Sequence, residues 1–120
     1  EYPDMASDYA YLAAKLNELG LVYMHLVDHS PMGAPEVPAT IKQTIRKEFK
    51  RTLILSGGYD AQRAEKELED KACDLVAVGR PFLSNPDLVA RWTSGAALNE
   101  IDFGTFYTPG PKGFTDYPKL

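Results

Sequence analysis

The sequence predicts an α/β fold in which strands alternate with helices around a parallel sheet. Three observations carry that expectation. Short apolar runs recur along the chain, the first of them bounded by Gly20 and Asp28. Segments of helical period separate them, and glycines mark the ends of the second and third runs, where a strand must turn into a helix.

The elements follow in order. Ser7 to Gly20 reads as a helix, with Ser7 as N-cap, Asp8 behind it, and Tyr9, Leu12, Ala13, Leu16 and Leu19 at helical spacing. Gly20 stands where a residue of positive φ ends a helix cheaply. Leu21 to Val27 is a continuous apolar run, and the lack of polar alternation predicts a strand buried on both faces. The loop His29-Ser30-Pro31-Met32-Gly33-Ala34-Pro35 leads into a helix with Ile41, Ile45 and Phe49 on one stripe.

A second strand, Thr52 to Leu55, ends at Ser56-Gly57-Gly58-Tyr59. Asp60 then caps a helix carrying Ala61, Ala64, Leu68 and Ala72, with Glu67 and Lys71 as a favourable i,i+4 pair and Cys73 at its end. A third strand, Asp74 to Val78, ends at Gly79-Arg80. Asn85 as cap and Pro86 at the first helical position open a last helix with Leu88, Val89 and Trp92. Residues 1–98 thus form the repeating part. Residues 99–120 change character, with Phe103, Phe106, Tyr107, Phe114 and Tyr117 among glycines and prolines, so some of these rings should pack or line a pocket.

Three parallel strands leave two open edges, which natural proteins avoid. A unit that starts on a helix reads as a segment of a larger barrel; the alternative is a small open domain that dimerises over an edge. Composition supports a globular chain, with 44% hydrophobic and 25% charged residues in 120. The net charge of -4 argues against nucleic acid, which is bound by a basic excess. No apolar stretch approaches the ~20 residues that cross a bilayer. The one cysteine fits a reducing, cytoplasmic setting.

The strongest chemical signal is the pair of strand ends Ser56-Gly57-Gly58 and Gly79-Arg80. Glycines after a strand let backbone N–H groups approach a phosphate without a Cβ in the way, and Arg80 adds a fixed positive charge. Taken separately, each is as easily a tight turn or a surface cation; their spacing of one βα unit favours the phosphate. His25 and His29 do not form a readable metal pair, because a strand residue and a loop residue need not share a face. His25 is expected to be hydrogen-bonded and structural. No nucleophilic triad is readable.

The strings Leu53-Ile54-Leu55-Ser56-Gly57-Gly58-Tyr59, Asp74-Leu75-Val76-Ala77-Val78-Gly79-Arg80-Pro81-Phe82, Asn85-Pro86-Asp87-Leu88-Val89 and Phe106-Tyr107 with Gly113-Phe114-Thr115-Asp116-Tyr117-Pro118 closely resemble the old yellow enzyme family. The nearest branch looks like the bacterial ene-reductases and nitroester or xenobiotic reductases. The resemblance implies the last three βα units, strands six to eight, and the tail of an FMN-containing (β/α)₈ TIM barrel. It implies NAD(P)H as reductant and activated alkenes, such as enones and maleimides, or nitro compounds as substrates. It assigns the FMN phosphate to Gly57, Gly58, Gly79 and Arg80, and the substrate side of the flavin to Tyr107. The family's substrate anchors and proton donor lie in N-terminal strands that these residues do not include, so no catalytic residue is assigned here. The expected partners are the N-terminal remainder of the barrel or a second copy, together with a small-molecule substrate. The alternative is a non-catalytic, phosphate-binding or self-associating half-barrel fragment.

Overall fold

A computed structural model describes residues 2–120. The chain divides into two compact units, residues 1–77 and residues 78–120. The compositional change at Asn99 falls inside the second.

In the first unit, α1 (Met5–Glu18) precedes β1 (Tyr23–Val27), a 3₁₀ turn (Ser30–Met32), α2 (Ala39–Glu48), β2 (Thr52–Ser56), α3 (Ala61–Glu69) and β3 (Leu75–Ala77). The strands form one parallel sheet in the order β1-β2-β3. Two βα crossovers in succession therefore bring every strand's carboxyl end to the same edge. The core of this unit holds Ala13, Ile41, Ile45, Phe49, Leu53, Leu55, Ala64 and Cys73.

Register explains which side of the sheet is covered. Leu53 and Leu55 are fully buried, whereas Thr52, Ile54 and Ser56, which alternate with them, are half-buried. His25 pairs with Ile54 and Ile54 with Leu75, so these three share the second face. On β1, Tyr23, His25 and Val27 are exposed while Met24 and Leu26 are half-buried. The expectation of a first strand buried on both faces is thus corrected. The strand is shorter, Leu21 and Val22 lie before it, and one of its faces, at Tyr23, His25 and Val27, is exposed.

Several local expectations also shift. The first helix starts at Met5 rather than after Ser7, whose hydroxyl donates to the Asp4 carbonyl at 2.7 Å. Gly20 does take a positive φ of 74°. Asp60 caps α3 as expected, accepting from the Arg63 N–H at 2.8 Å. That helix, however, stops at Glu69. Lys71 turns left-handed, with φ 57°, and the amides of Lys71 and Ala72 reach back to Leu68 and Glu67. The predicted Glu67–Lys71 pair therefore gives way to Lys66–Asp70 at 2.6 Å, and Cys73 lies in the turn after the helix. Asp74 is not strand; its carboxylate accepts from the Leu53 N–H at 2.8 Å and from Arg46 at 2.6 Å.

The second unit contains α4 (Arg80–Ser84), α5 (Leu88–Ser94) and a 3₁₀ turn (Phe103–Thr105). Asn85 does not cap α5; Asp87 takes that position. Asn85 is buried, donating to the Pro81 carbonyl and Ser84 hydroxyl at 2.9 Å and accepting from the Asn99 N–H at 2.7 Å. Arg91 is buried as well, joined to Asp87 at 2.8 Å and donating to the carbonyls of Ala97 and Pro118. These polar hubs tie the irregular tail to its own two helices.

Candidate functional site

The carboxyl edge of the sheet carries the chemistry-bearing turns of the first unit. The Gly57 and Gly58 φ angles are 129° and 62°, both in the region that favours glycine. A Cβ on Gly57 would come within 2.3 Å of the Asp28 carbonyl oxygen, and one on Gly58 within 2.5 Å of the Pro31 ring. The loop after β1 and the turn after β2 are therefore interlocked at van der Waals distance. The glycine requirement here is met by the fold itself, before any ligand is considered.

Asp28 anchors that interlock. Its N–H donates to the Ser56 carbonyl at 2.8 Å, and its carboxylate accepts from the Ser30 N–H at 3.0 Å and from Lys42 at 2.9 Å. Burial opposes ionisation of Asp28, but the Lys42 ammonium and the Ser30 donors outweigh it and hold the carboxyl well below the usual range. His25 Nε2 lies 2.9 Å from the Ser56 hydroxyl, a hydrogen-bonded strand histidine as expected.

Behind the turn, Arg63 on α3 lies over the Tyr59 ring at 4.4 Å and donates to the Gly57 carbonyl at 3.2 Å. Tyr59 is buried, and burial, with the Glu67 carboxylate adding to it, pushes its phenol up to about 12. The Cys73 thiol is likewise pushed up by burial and by Glu67, which makes it a poor nucleophile.

In the second unit, Gly79 and Arg80 are exposed, and a Cβ on Gly79 would meet nothing within 4 Å. Arg80 enters no ion pair among the described residues. Tyr107 is 97% exposed, edge-on to Phe106 at 6.3 Å, and Phe106 packs against Phe103 at 5.2 Å. The tail aromatics thus form a small cluster that leaves the Tyr107 face bare.

Among the described residues, the amides of Gly57, Gly58, Gly79 and Arg80 donate to no protein acceptor. Unpaired N–H groups on glycine turns suit the phosphate of a flavin mononucleotide, and Arg80 suits its charge. Each unit by itself thus offers free amides of the kind a phosphate takes, Gly57 and Gly58 in the first and Gly79 and Arg80 in the second. Asp28, Lys42 and Arg63 were not singled out in the sequence. The readable clue was the position of Arg63 three residues beyond the Asp60 cap, which sends its side chain back over the turn.

Comparison with solved structures defines the class: the chain is part of a (β/α)₈ barrel of the flavin oxidoreductase type. It superposes on morphinone reductase with a TM-score of 0.90 at 42% identity, covering 100% of this chain and 32% of that one. A variant of NCR from Zymomonas mobilis gives 0.85 at 31% identity, over 100% and 40%. Among curated proteins, a 12-oxophytodienoate reductase-like protein of Solanum lycopersicum is 42% identical over 92% of this chain and 30% of its own length. Residues 4–99 match the NADH:flavin oxidoreductase / NADH oxidase family, and the chain belongs to that family, which includes the old yellow enzymes. The family uses FMN with NAD(P)H. The chain spans about a third of the length of these relatives.

Proposed function

We propose that this chain supplies the FMN phosphate grip of a complete (β/α)₈ reductase that reduces activated alkenes, such as enones and maleimides, or nitro compounds with NAD(P)H. The observation that carries the reading is the set of unpartnered amides at Gly57, Gly58, Gly79 and Arg80, each following a strand of the parallel sheet. Parallel strands collect ligands at their carboxyl ends, and barrels commonly hold phosphate in the turns after their last two strands. Relatives named as reductases of 12-oxophytodienoate and morphinone support the reaction class.

In this reading the glycine amides orient the phosphate and Arg80 neutralises it, while Tyr107 presents its ring and hydroxyl to the substrate side. Bound FMN supplies hydride acceptance from NAD(P)H and hydride delivery to an electron-poor substrate. No helix among the described residues is long and apolar enough to cross a membrane. The single, buried thiol accords with a cytoplasmic setting.

The test is Arg80→Ala in the complete barrel. FMN retention should weaken by roughly 1.5–3 kcal/mol, the scale of a hydrogen bond to a charged group. Unchanged affinity removes Arg80 from the site. A second reading, a self-associating phosphate-binding fragment without catalysis, draws on the bare sheet face at Tyr23, Val27 and Leu75. A colourless homodimer would favour it; a yellow protein assembled with the rest of a barrel favours the first.

A further inference from the structure

We infer that Arg63 is a positioning residue for the cofactor phosphate, aiming the Gly58 N–H by holding the peptide that joins Gly57 to Gly58. The inference rests on the reading that this turn grips phosphate. In a trans peptide the carbonyl and the following N–H point in opposite directions. The Gly57 carbonyl is engaged by Arg63 Nη1 at 3.2 Å, so the Gly58 N–H of the same plane is turned away from α3. No protein acceptor meets it there among the described residues.

Glycine is needed at both positions to avoid Asp28 and Pro31, and it leaves this peptide free to rotate unless something fixes it. Arg63 is equipped to fix it. Its backbone is held by the Asp60 cap at 2.8 Å, and its guanidinium rests on the buried Tyr59 ring at 4.4 Å. Its charge also faces the carbonyl end of the peptide dipole, which leaves the amide end for an anion. The guanidinium is therefore spent on the turn and need not touch the phosphate itself. A purely solvated helix cation would make neither contact.

The experiment compares FMN with riboflavin, which lacks the phosphate, by fluorescence titration of the complete apo-barrel. The parent should bind FMN more tightly than riboflavin. Arg63→Met should lose roughly tenfold in FMN affinity, near the lower end for one hydrogen bond to a charged group, with riboflavin affinity unchanged. Arg63→Lys, which keeps a charged donor on a shorter, unforked side chain, should recover part of the loss; it also carries the test alone if Arg63→Met does not fold. Equal losses for both flavins, or no loss for either, would overturn the inference. If the Arg63 variants keep the FMN preference while Arg80→Ala loses it, only the positioning role fails. A parent with no preference for FMN removes the phosphate reading as well.

Discussion

The Asp28 carboxylate and the Lys42 ammonium meet at 2.9 Å with only 3% and 14% of their side chains exposed. The pair joins the end of β1 to the first turns of α2, and it fixes the backbone against which Gly57 packs. Removing one member leaves a buried charge without a partner, so Lys42→Met should destabilise the protein by about 3 kcal/mol. The pH dependence has a definite sign. Because the Asp28 carboxyl is depressed in the folded state, its stabilisation is fully present above the unfolded carboxyl's pKa of about 4 and is lost as pH falls below it. Denaturation midpoints from pH 7 down to 2 should therefore fall less steeply for Lys42→Met than for the parent. Parallel curves would show that the pair is not the source of the acid sensitivity.

Two glycines in the proposed grip are expected to answer differently to alanine. At Gly57 the added methyl meets the Asp28 carbonyl and the backbone is left-handed, so Gly57→Ala should cost at least about 2 kcal/mol of stability. At Gly79 the same methyl meets nothing, so Gly79→Ala should stay within about 0.5 kcal/mol of the parent. Its effect should appear instead as weaker FMN binding. Chemical denaturation and flavin titration of the two variants separate fold from ligand, and a stable Gly79→Ala protein with unaltered FMN affinity would take Gly79 out of the site.

With nearly its whole side chain exposed, Tyr107 contributes little packing in this structure. Tyr107→Phe should leave the melting temperature almost unchanged while altering KM or kcat for an enone in the complete enzyme. A variant that loses stability yet retains both constants would identify Tyr107 as a core aromatic of the assembled barrel.

The 120-residue chain alone should not turn over substrate. Its sheet has three strands, and closure of a barrel requires strand number, tilt and stagger to agree. The face carrying Tyr23, Val27 and Leu75 is open, with 57%, 43% and 53% exposure, so the isolated chain should self-associate and bind FMN weakly at best. The check is to follow cyclohexenone reduction with added FMN and NAD(P)H while recording elution mass. Turnover by a verified monomer would mean that these residues contain the catalytic groups after all.

The alternation of strand and helix, the Asp60 cap, the left-handed Gly20 and the glycine-marked strand ends were legible in the sequence. Each depends on hydrophobic period, on the backbone freedom of one residue or on a side chain that meets an amide three residues on, and all are local properties. The resemblance to old yellow enzymes was legible for a related reason, since its motifs are strings centred on those same turns. Tertiary structure decided the rest. Asp28 finds Lys42 fourteen residues away, Asp74 is drawn off its strand by the Leu53 N–H and Arg46, and Asn85 is taken from its expected cap to serve the tail. A polar side chain near an element's end can satisfy a local amide or a distant one, and only the packed chain sets the distances that choose between them. The two faces of β1 were undecidable for the same reason. An apolar run states that burial is favourable, whereas the partner that provides it comes from elsewhere in space.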